Sequence, residues 1–298
     1  MRHLGLEGSI CTYLLERPEP ALVDPGPATT LEHLRESLAE RGLRLSELRH
    51  LFLTHIHLDH AGASGQLVRE NPKLVVHVHE EGAPHLVDPT KLVSSTRRTF
   101  GQEHDRYWGE TLPIPAHRIR GWRQGDGEVA PGIRPFHTPG HISHHLAYLS
   151  EETGILFSGD CMGIVLGSGA PVAPPTPPPS LDLPAWDQTL AFLSAFDAEG
   201  FGATHFGLHS NLRGRAEELR EKLREVKARV VAVLGHAPKG DEAAAERFAE
   251  EAARYEEEVR SSLATALPRE RVDAYFDTFP AANDLAGVKF WVERNPQG

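Results

Sequence analysis

The sequence is poor in the features that mark disulfide-rich, membrane-spanning and secreted proteins. It has only two cysteines, Cys11 and Cys161, without Cys-x-x-Cys spacing. This excludes a disulfide framework and a thiolate zinc finger, and we expect both thiols to pack as small apolar side chains. No apolar run approaches the roughly eighteen residues that a membrane span needs, and residues 1–8 lack the apolar core and cleavage site of a signal peptide. We therefore expect a cytoplasmic protein with no membrane partner.

An excess of positive charge is also missing. The chain has 31 lysines and arginines against 42 acidic residues, a formal net charge of -11. Because this balance repels a phosphate backbone, we expect no nucleic-acid partner. The apolar share of 40% and the charged share of 24% are those of an ordinary soluble globular protein. We expect a small-molecule substrate as the partner, and a homo-oligomer is compatible with the sequence.

The order of the local patterns predicts an α/β domain followed by helices. Short β-rich runs such as Leu51–Thr54 alternate with helical runs such as Leu31–Arg41 in the first half. Residues 88–110 lack aliphatic periodicity and indicate an insertion or a lid, while the proline-rich residues 171–179 predict an extended, stiff loop. Helical periodicity dominates from Leu183 onward. We predict one domain at residues 1–210 and a helical C-terminal extension at residues 211–298.

What the sequence has in excess is histidine, with 18 residues, several of them packed into short runs. The run His55-Ile56-His57-Leu58-Asp59-His60 follows the apolar run Leu51–Thr54, so it occupies a strand-to-helix turn. Alternating histidines at a strand end can face one ion, and first-row metals such as zinc prefer imidazole and carboxylate ligands. Asp59 and His60 begin the helix and can serve a second ion, as in two-metal sites.

Further ligands are expected at the ends of other strands. His141 follows a strand and the turn Pro139-Gly140, and Asp160 ends the apolar run from Ile155, where a carboxylate can bridge two ions. His205 lies in Gly202-Ala203-Thr204-His205-Phe206-Gly207, at the end of an apolar-leaning run and two residues before a glycine, so we favour it over His209 as the last ligand. The set divides into three ligands for each ion and a bridge, with these seven members: His55, His57, Asp59, His60, His141, Asp160 and His205.

Together these residues resemble the five motifs of the metallo-β-lactamase superfamily, including its glyoxalase II-like members, over residues 1–210. The resemblance implies an αββα sandwich, two sheets face to face with helices outside and the site at one edge. It also implies that His55, His57 and His141 hold the first metal, that Asp59, His60 and His205 hold the second, and that Asp160 bridges them. The two ions would be divalent, zinc first, with iron or manganese as alternatives. Asp24 resembles the family's early strand-end aspartate, which orients a histidine.

The chemistry expected from such a site is hydrolysis by a metal-bridging hydroxide, with Asp59 as the catalytic residue that orients it. We rank small-molecule esters, thioesters and lactones first as substrates. The Gly-His-Glu pattern of hydroxyacylglutathione hydrolases is absent at His205, which argues against glutathione specificity. The alternatives are a mononuclear iron persulfide dioxygenase, a phosphodiesterase or nuclease, and a non-catalytic, partner-binding member of the fold.

The remaining histidines and aromatics near the motifs have less specific interpretations. His144 and His145 follow His141 closely and would act either beside the metal ligands or as hydrogen-bonded structural residues. His77 and His79 alternate on a predicted strand, and we interpret them as structural rather than metal-binding. We expect Tyr107 and Trp108 to be exposed aromatics in a pocket wall.

Overall fold

The computed structural model describes residues 1–167, 169–235, 241–279 and 282–295. The chain divides into two compact units. Unit 1 comprises residues 1–138, 144–159 and 198–210, and unit 2 comprises residues 139–143, 160–197 and 211–298. Residue 210, the predicted end of the first domain, is also the end of unit 1, whereas the functional division at that residue stays a prediction.

Unit 1 contains two five-stranded sheets and a short hairpin. Its strands are β1 Arg2–His3, β2 Leu6–Glu7, β3 Tyr13–Leu15, β4 Ala21–Val23, β5 His50–Phe52, β6 Val75–His79, β7 Ile119–Trp122, β8 Ile133–His137, β9 Leu146–Ser150, β10 Ile155–Phe157, β13 Gly200–Ala203 and β14 Gly207–His209. The two remaining strands, β11 Ile164–Val165 and β12 Val172–Ala173, belong to unit 2. The hairpin pairs β1 with β2, the first sheet has the order β3-β4-β5-β6-β7, and the second has the order β14-β13-β10-β9-β8. Strands β4 to β7 are parallel, while the second sheet is antiparallel apart from the pair β10 and β13.

The two sheets of unit 1 pack face to face. Val23 and Phe52 of the first sheet share one apolar cluster with Leu146, Tyr148 and Phe157 of the second. Successive side chains of a strand point to opposite faces of the sheet. Each sheet therefore buries one set of alternating side chains against the other sheet. The other face of the first sheet is covered by helices in a second cluster, so unit 1 supplies a helix layer and two sheet layers.

Six α-helices lie in unit 1, and two of them lie in residues 88–110, for which an insertion or a lid stays a prediction. The helices are α1 Leu31–Glu40, α2 Leu58–Ala61, α3 Ser64–Glu70, α4 Ala83–Val87, α5 Thr90–Phe100 and α6 His104–Trp108. Residues 88–110 are largely helical, although they lack aliphatic periodicity, and no residue of α5 is buried. Leu92 of α5 packs against the second apolar cluster, and an exposed ion pair between Arg97 and Asp105 joins α5 to α6.

Unit 2 is mainly helical, as the periodicity predicts. Its helices are α7 Leu183–Ser194, α8 Leu212–Leu234, α9 Glu242–Ala264, α10 Arg269–Thr278 and α11 Ala282–Arg294. Trp186, Leu190 and Leu193 of α7 are buried, and Asp182 caps that helix by accepting from the Ala185 amide. The proline-rich segment contains the short strand β12, paired with β11, and its other residues are in neither helix nor strand. Within the described residues, no helix combines the length and the apolar character that a membrane crossing requires.

Candidate metal centre

The site in unit 1 begins where parallel strands end at one edge of the first sheet. Strand β4 ends at Val23 and is followed by Asp24, and β5 ends at Phe52 just before Thr54 and His55. The Asp24 amide donates to the Phe52 carbonyl at 3.0 Å, which holds the two strand ends together. Asp24 has φ 47°, a left-handed conformation that aspartate tolerates better than most residues. The carboxylate is thereby placed among the side chains that follow both strands.

Asp24 is a fully buried hydrogen-bond acceptor rather than a candidate ligand. It accepts from the Thr54 amide and hydroxyl at 2.8 and 2.7 Å, and from the Thr204 hydroxyl at 2.7 Å. It also pairs with His60 Nδ1 at 2.9 Å. Because a carboxylate only accepts, His60 carries its proton on Nδ1, and its Nε2 is left with a lone pair. The structure therefore confirms the prediction that Asp24 orients a histidine.

His205 is fixed in the same tautomer from the other side of the sandwich. Its Nδ1 donates to the Ser9 carbonyl at 2.6 Å, so its Nε2 also presents a lone pair. That atom is 3.4 Å from Asp59 Oδ2, and His60 Nε2 is 3.6 Å from the same oxygen. The three residues offer ligand atoms that all lie within 4.8 Å of one another, and His60 and His205 are buried.

The remaining two histidines of the run are directly adjacent to this cluster. His55 Nε2 and His57 Nδ1 are 2.8 Å apart, and the rings of His55 and His60 have centroids 4.0 Å apart. His55 is fully buried, while His57 is partly exposed. The structure therefore brings together all four predicted ligands of the run and His205 within unit 1.

His141 and Asp160 both lie in unit 2 and face each other. His141 Nδ1 donates to the Pro175 carbonyl at 2.8 Å, and its Nε2 is 3.4 Å from Asp160 Oδ2. The His141 ring also packs edge-on against Trp186, with centroids 5.9 Å apart. The proline-rich loop, whose role could not be read from the sequence, thus supplies the acceptor that fixes the His141 tautomer.

The donor set fits a metal ion. The Nε2 atoms of His60, His205 and His141 each lie 3.4 to 3.6 Å from a carboxylate oxygen, and in the neutral imidazole such an atom has a lone pair that can bind the same cation as the carboxylate. Imidazole nitrogen and carboxylate oxygen are the donors that zinc and related ions prefer, and Nδ1 bonded to a carboxylate or carbonyl is the usual way a protein fixes a ligating histidine. The residues in unit 1 can therefore hold a metal through their own chemistry.

The other histidines considered in the sequence analysis pack against, or form hydrogen bonds with, residues outside the predicted ligand set. His145 Nδ1 bonds the Thr138 hydroxyl at 2.8 Å, and His144 is also buried. His77 bonds His50 at 3.0 Å, and His79 stacks on His137 with centroids 4.8 Å apart. Among the described residues, none of the groups able to hold a metal contains His77, His79, His144, His145 or His209.

The backbone of Gly159 lies close to Thr54 and His145, since a Cβ there would be 2.6 Å from Thr54 Oγ1 and 2.7 Å from His145 Nε2. Tyr107 and Trp108 are half-buried rather than exposed, because both pack against Phe100 and His3. Cys161 is buried as predicted, while Cys11 is half-buried, and neither forms a disulfide bond within the described residues.

Sequence reasoning missed the residues that support the ligands. Ser9 supplies the carbonyl for His205, Thr204 bonds Asp24, and His3 lies beside Ser9. No motif marks these positions, because a carbonyl acceptor requires no particular side chain and its partner is distant in sequence. Only the Thr204-His205 adjacency offered a pattern that could have suggested a supporting hydroxyl.

Comparison with known proteins agrees with this geometry. The family model described as the metallo-beta-lactamase superfamily matches residues 8–236. The chain belongs to the metallo-β-lactamase superfamily. It has the αββα fold that the motifs predict, with a helical C-terminal region.

Three curated relatives show the range of named activities. The chain is 29% identical over 245 residues to "Lactamase-like protein notP" of an Aspergillus species, covering 81% of this chain and 63% of the relative. It is 31% identical over 206 residues to "Atrochrysone carboxyl ACP thioesterase AgnL7" of Paecilomyces divaricatus, covering 67% and 50%. It is 31% identical over 153 residues to a hydroxyacylglutathione hydrolase of a Synechococcus species, covering 50% and 48%. The chain thus spans about half to two thirds of the length of these relatives.

Two solved structures share the fold. A metallo-beta-lactamase family protein of Thermus thermophilus, TTHA1429, has a TM-score of 0.66 at 24% identity and covers 96% of this chain and 89% of its own. TTHA1623 in a di-iron-bound form has a TM-score of 0.53 at 24% identity and covers 70% and 92%. Proteins of this fold therefore bind metal ions, and the superfamily includes hydrolases.

Proposed function

We propose that the protein is a dinuclear metal-dependent hydrolase that cleaves a small-molecule thioester, ester or lactone. The observation that carries the proposal is the position of Asp59 Oδ2, which lies 3.4 and 3.6 Å from two imidazole Nε2 atoms. The Nδ1 protons of both rings are committed to other acceptors. A carboxylate held against two lone pairs in a buried site is the arrangement expected of a metal-binding protein.

We assign the ligands as the family resemblance implies. His55, His57 and His141 would hold the first ion, and Asp59, His60 and His205 the second. Asp160 would bridge them. The neutral tautomer of His141, fixed by the Pro175 carbonyl, supports its part in this set.

Two divalent ions in this site would supply an activated water molecule and polarise the carbonyl oxygen of the substrate. The protein's own part is positioning. The Asp59 side chain retains 20% of its exposure, so its carboxylate can reach both an ion and a water molecule. Asp24 holds His60 in one orientation, and Ser9 holds His205, so that neither ring has to reorganise during the reaction.

We place thioesters first among the substrates. Two relatives are named as enzymes that hydrolyse thioesters, an acyl-carrier-protein thioesterase and a hydroxyacylglutathione hydrolase. Glutathione thioesters are the less favoured members of this class, because the Gly-His-Glu pattern is absent at His205. Oxygen esters and lactones present the same electrophilic carbonyl and remain within the proposal.

The test is a hydrolase panel on protein reconstituted in turn with zinc, manganese and iron. The panel contains acyl-coenzyme A, S-lactoylglutathione, p-nitrophenyl acetate, γ-butyrolactone and bis-p-nitrophenyl phosphate. We expect carboxylic substrates to be cleaved, with acyl-coenzyme A fastest, and EDTA treatment to abolish the activity until metal is returned. Oxygen consumption on a persulfide by protein with one iron per chain would contradict the proposal, and so would cleavage of the phosphodiester alone.

A further inference from the structure

A groove runs along one face of α5 in unit 1. It has a volume of about 580 Å³, and the side chains that line it include Thr90, Val93, Ser94, Arg97, Arg98 and Thr111. Positions 90, 93, 94 and 97 follow the spacing of a single helix face. No residue of α5 is buried, so this face borders an open cavity instead of packing into the core. Pockets that bind small organic ligands have volumes of about 300 to 1,000 Å³.

The charged side chains that line this groove are both cationic, although the chain has a formal net charge of -11. Arg97 is neutralised by Asp105, whose carboxylate oxygens accept from its two terminal nitrogens at 2.6 and 3.3 Å. Arg98 donates to the Ser94 hydroxyl at 3.0 Å, and this acceptor is neutral. Within the described residues Arg98 forms no ion pair. One guanidinium charge in the groove is therefore not compensated by a carboxylate.

The groove is apolar along its middle and cationic at one end. Pro89 and Val93 supply the apolar part of the wall. At the other end the Thr90 hydroxyl donates to the Asp88 carboxylate at 2.6 Å, so this acid already has a partner. The rise of an α-helix places Thr90 about 12 Å from Arg98. The groove therefore matches a ligand with an apolar chain that ends in a negative charge.

Packing connects this groove to the helix that follows the predicted ligands in the chain. The Leu112 carbonyl lies against Gly65 of α3, where a Cβ would be 2.2 Å from the carbonyl oxygen. Thr111, the preceding residue, lines the groove. The chain from His60 to Gly65 is almost entirely helical, and five residues of helix rise by about 8 Å. The groove and the predicted ligands in α2 are therefore held by the same pair of short helices.

We propose that this groove binds the carboxylate-bearing end of the substrate, with Arg98 as the partner of the carboxylate and Val93 against the apolar chain. The Arg98 guanidinium has further N–H donors besides the one that Ser94 accepts, and its planar shape can match a carboxylate with two parallel hydrogen bonds. A single uncompensated charge suits a monoanion better than a phosphate dianion. The ligand class is an amphipathic organic acid. The inference rests on the proposed function only in assigning this acid to the substrate.

The binding test compares 4-phenylbutyrate with its uncharged analogue 4-phenylbutanamide in NMR titrations of isotope-labelled, metal-free protein. We expect the acid to bind more tightly and to shift the backbone amide signals of α5 and Thr111 most. Arg98→Gln should weaken binding of the acid about fivefold, the typical upper effect of an exposed ion pair, without changing that of the amide. Arg98→Lys keeps the charge but not the planar fork, so it should weaken binding less. Arg247→Gln, at an exposed position of α9, is the matched control and should behave as the wild type.

Several results of this titration would overturn the inference. One is equal affinity of the wild type for the acid and the amide, and another is an Arg98→Gln variant that binds the acid as the wild type does. Signal shifts confined to the histidine cluster would place the acid elsewhere. A higher affinity for phenyl phosphate than for 4-phenylbutyrate would contradict the choice of a carboxylate.

Kinetics separate this inference from the proposed function. For half-thioesters of dicarboxylic acids, which have a free second carboxylate, Arg98→Gln should raise KM about fivefold while kcat and metal content stay near those of the wild type. For the matching monocarboxylic thioesters it should change neither constant. An equal rise of KM in both series would overturn the inference. A wild type that cleaves no substrate of the panel would refute the proposed function, whereas the titration would still decide whether the groove binds a carboxylate.

Discussion

At the scale of single residues, Asp24 links three segments that are distant in the sequence. Its carboxylate accepts hydrogen bonds from Thr54, His60 and Thr204, and all of these residues are buried. A buried carboxylate is stable only when donors compensate its lost hydration, and here they do. The hydrogen bond from His60 Nδ1 to Asp24 leaves Nε2 as the nitrogen that would bind a metal ion. Asp24 therefore contributes both to local stability and to the orientation of a proposed ligand.

We predict that Asp24→Asn weakens metal binding without unfolding the protein. Asparagine tolerates the left-handed backbone conformation at φ 47°, but its amide cannot fix the Nδ1 proton of His60 as a carboxylate does. Loss of such a support typically costs about 10- to 100-fold in metal affinity. A competition titration with a zinc chelator measures the change. Asp126→Asn in an exposed turn is the control, and equal zinc affinity in the two variants would contradict the assignment.

A second prediction distinguishes His205 from His209. His205→Ala should lose about one metal ion per chain, because its Nε2 faces Asp59 at 3.4 Å. His209→Ala should retain full metal content, because His209 lies in β14 with its ring 5.2 Å from that of Phe201. Elemental analysis of the two purified proteins gives the answer. The reverse pattern, with metal lost only from His209→Ala, would move the last ligand to position 209.

At the scale of elements, strand β6 should make folding stability depend on pH. Burial lowers the pKa of His77 to about 3, with His50 and Arg120 adding to the effect. In the unfolded chain this histidine has its ordinary pKa near 6.5. Between these values the unfolded state binds the extra proton, so stability is complete above about pH 6.5 and falls as the pH falls.

We predict that the unfolding free energy depends less on pH in His77→Phe than in the wild type. From pH 7 to pH 5 the metal-free wild type should lose about 2 kcal/mol more of its unfolding free energy than the variant. Urea unfolding at both pH values measures this, and using metal-free protein removes the pH dependence of metal binding. The exposed His33→Phe should behave as the wild type. Parallel pH profiles for wild type and His77→Phe would show that the buried ring is not responsible.

Helix α11 supports the loop that carries the acceptor of His141. Gly287 lies against this loop, and a Cβ at this position would be 1.5 Å from the Thr176 carbonyl oxygen. The Thr176 hydroxyl also donates to the Asp284 carbonyl at 2.7 Å. Pro175, which accepts from His141, is the preceding residue.

We therefore expect Gly287→Ala to destabilise the protein although alanine is the better helix former. The gain in helix propensity is about 1 kcal/mol, whereas forcing atoms into a filled space costs typically about 1 to 3 kcal/mol. Thermal unfolding should show a lower midpoint, and metal affinity should fall because Pro175 is displaced. Gly127→Ala, where no atom lies within 4 Å of the added Cβ, is the control. A higher unfolding midpoint in Gly287→Ala would contradict the prediction, because it would mean that the loop around Thr176 accommodates the added methyl group without displacing Pro175.

At the scale of the whole molecule, the parts of the site that the sequence predicts are those with a local cause. The run from His55 to His60 is recognisable because a strand end and a helix start present donors in fixed directions. Asp24, His141, Asp160 and His205 follow strands in the same way. The helices of unit 2 are predictable from their apolar stripes, since burial imposes that period.

What could not be predicted depends on contacts between distant residues or on weak local patterns. The bond from His205 to Ser9 joins residues that are 196 positions apart, and the acceptor is a backbone atom that any residue supplies. Helices α5 and α6 lie in residues 88–110, where aliphatic periodicity indicated no core element, and α5 has no buried residue that would impose one. The role of the proline-rich loop is likewise invisible in its composition, because it acts through the Pro175 carbonyl.

Whether these residues form a two-metal centre is decided by counting metal. The protein is stripped with a chelator, reconstituted separately with zinc, manganese and iron, desalted, and analysed for metal and protein. We predict about two divalent ions per chain in the wild type and about one in His60→Ala, because the proposed assignment makes His60 a ligand of the second ion only. One ion per chain in the wild type, or none retained with any of the three metals, would contradict a dinuclear centre.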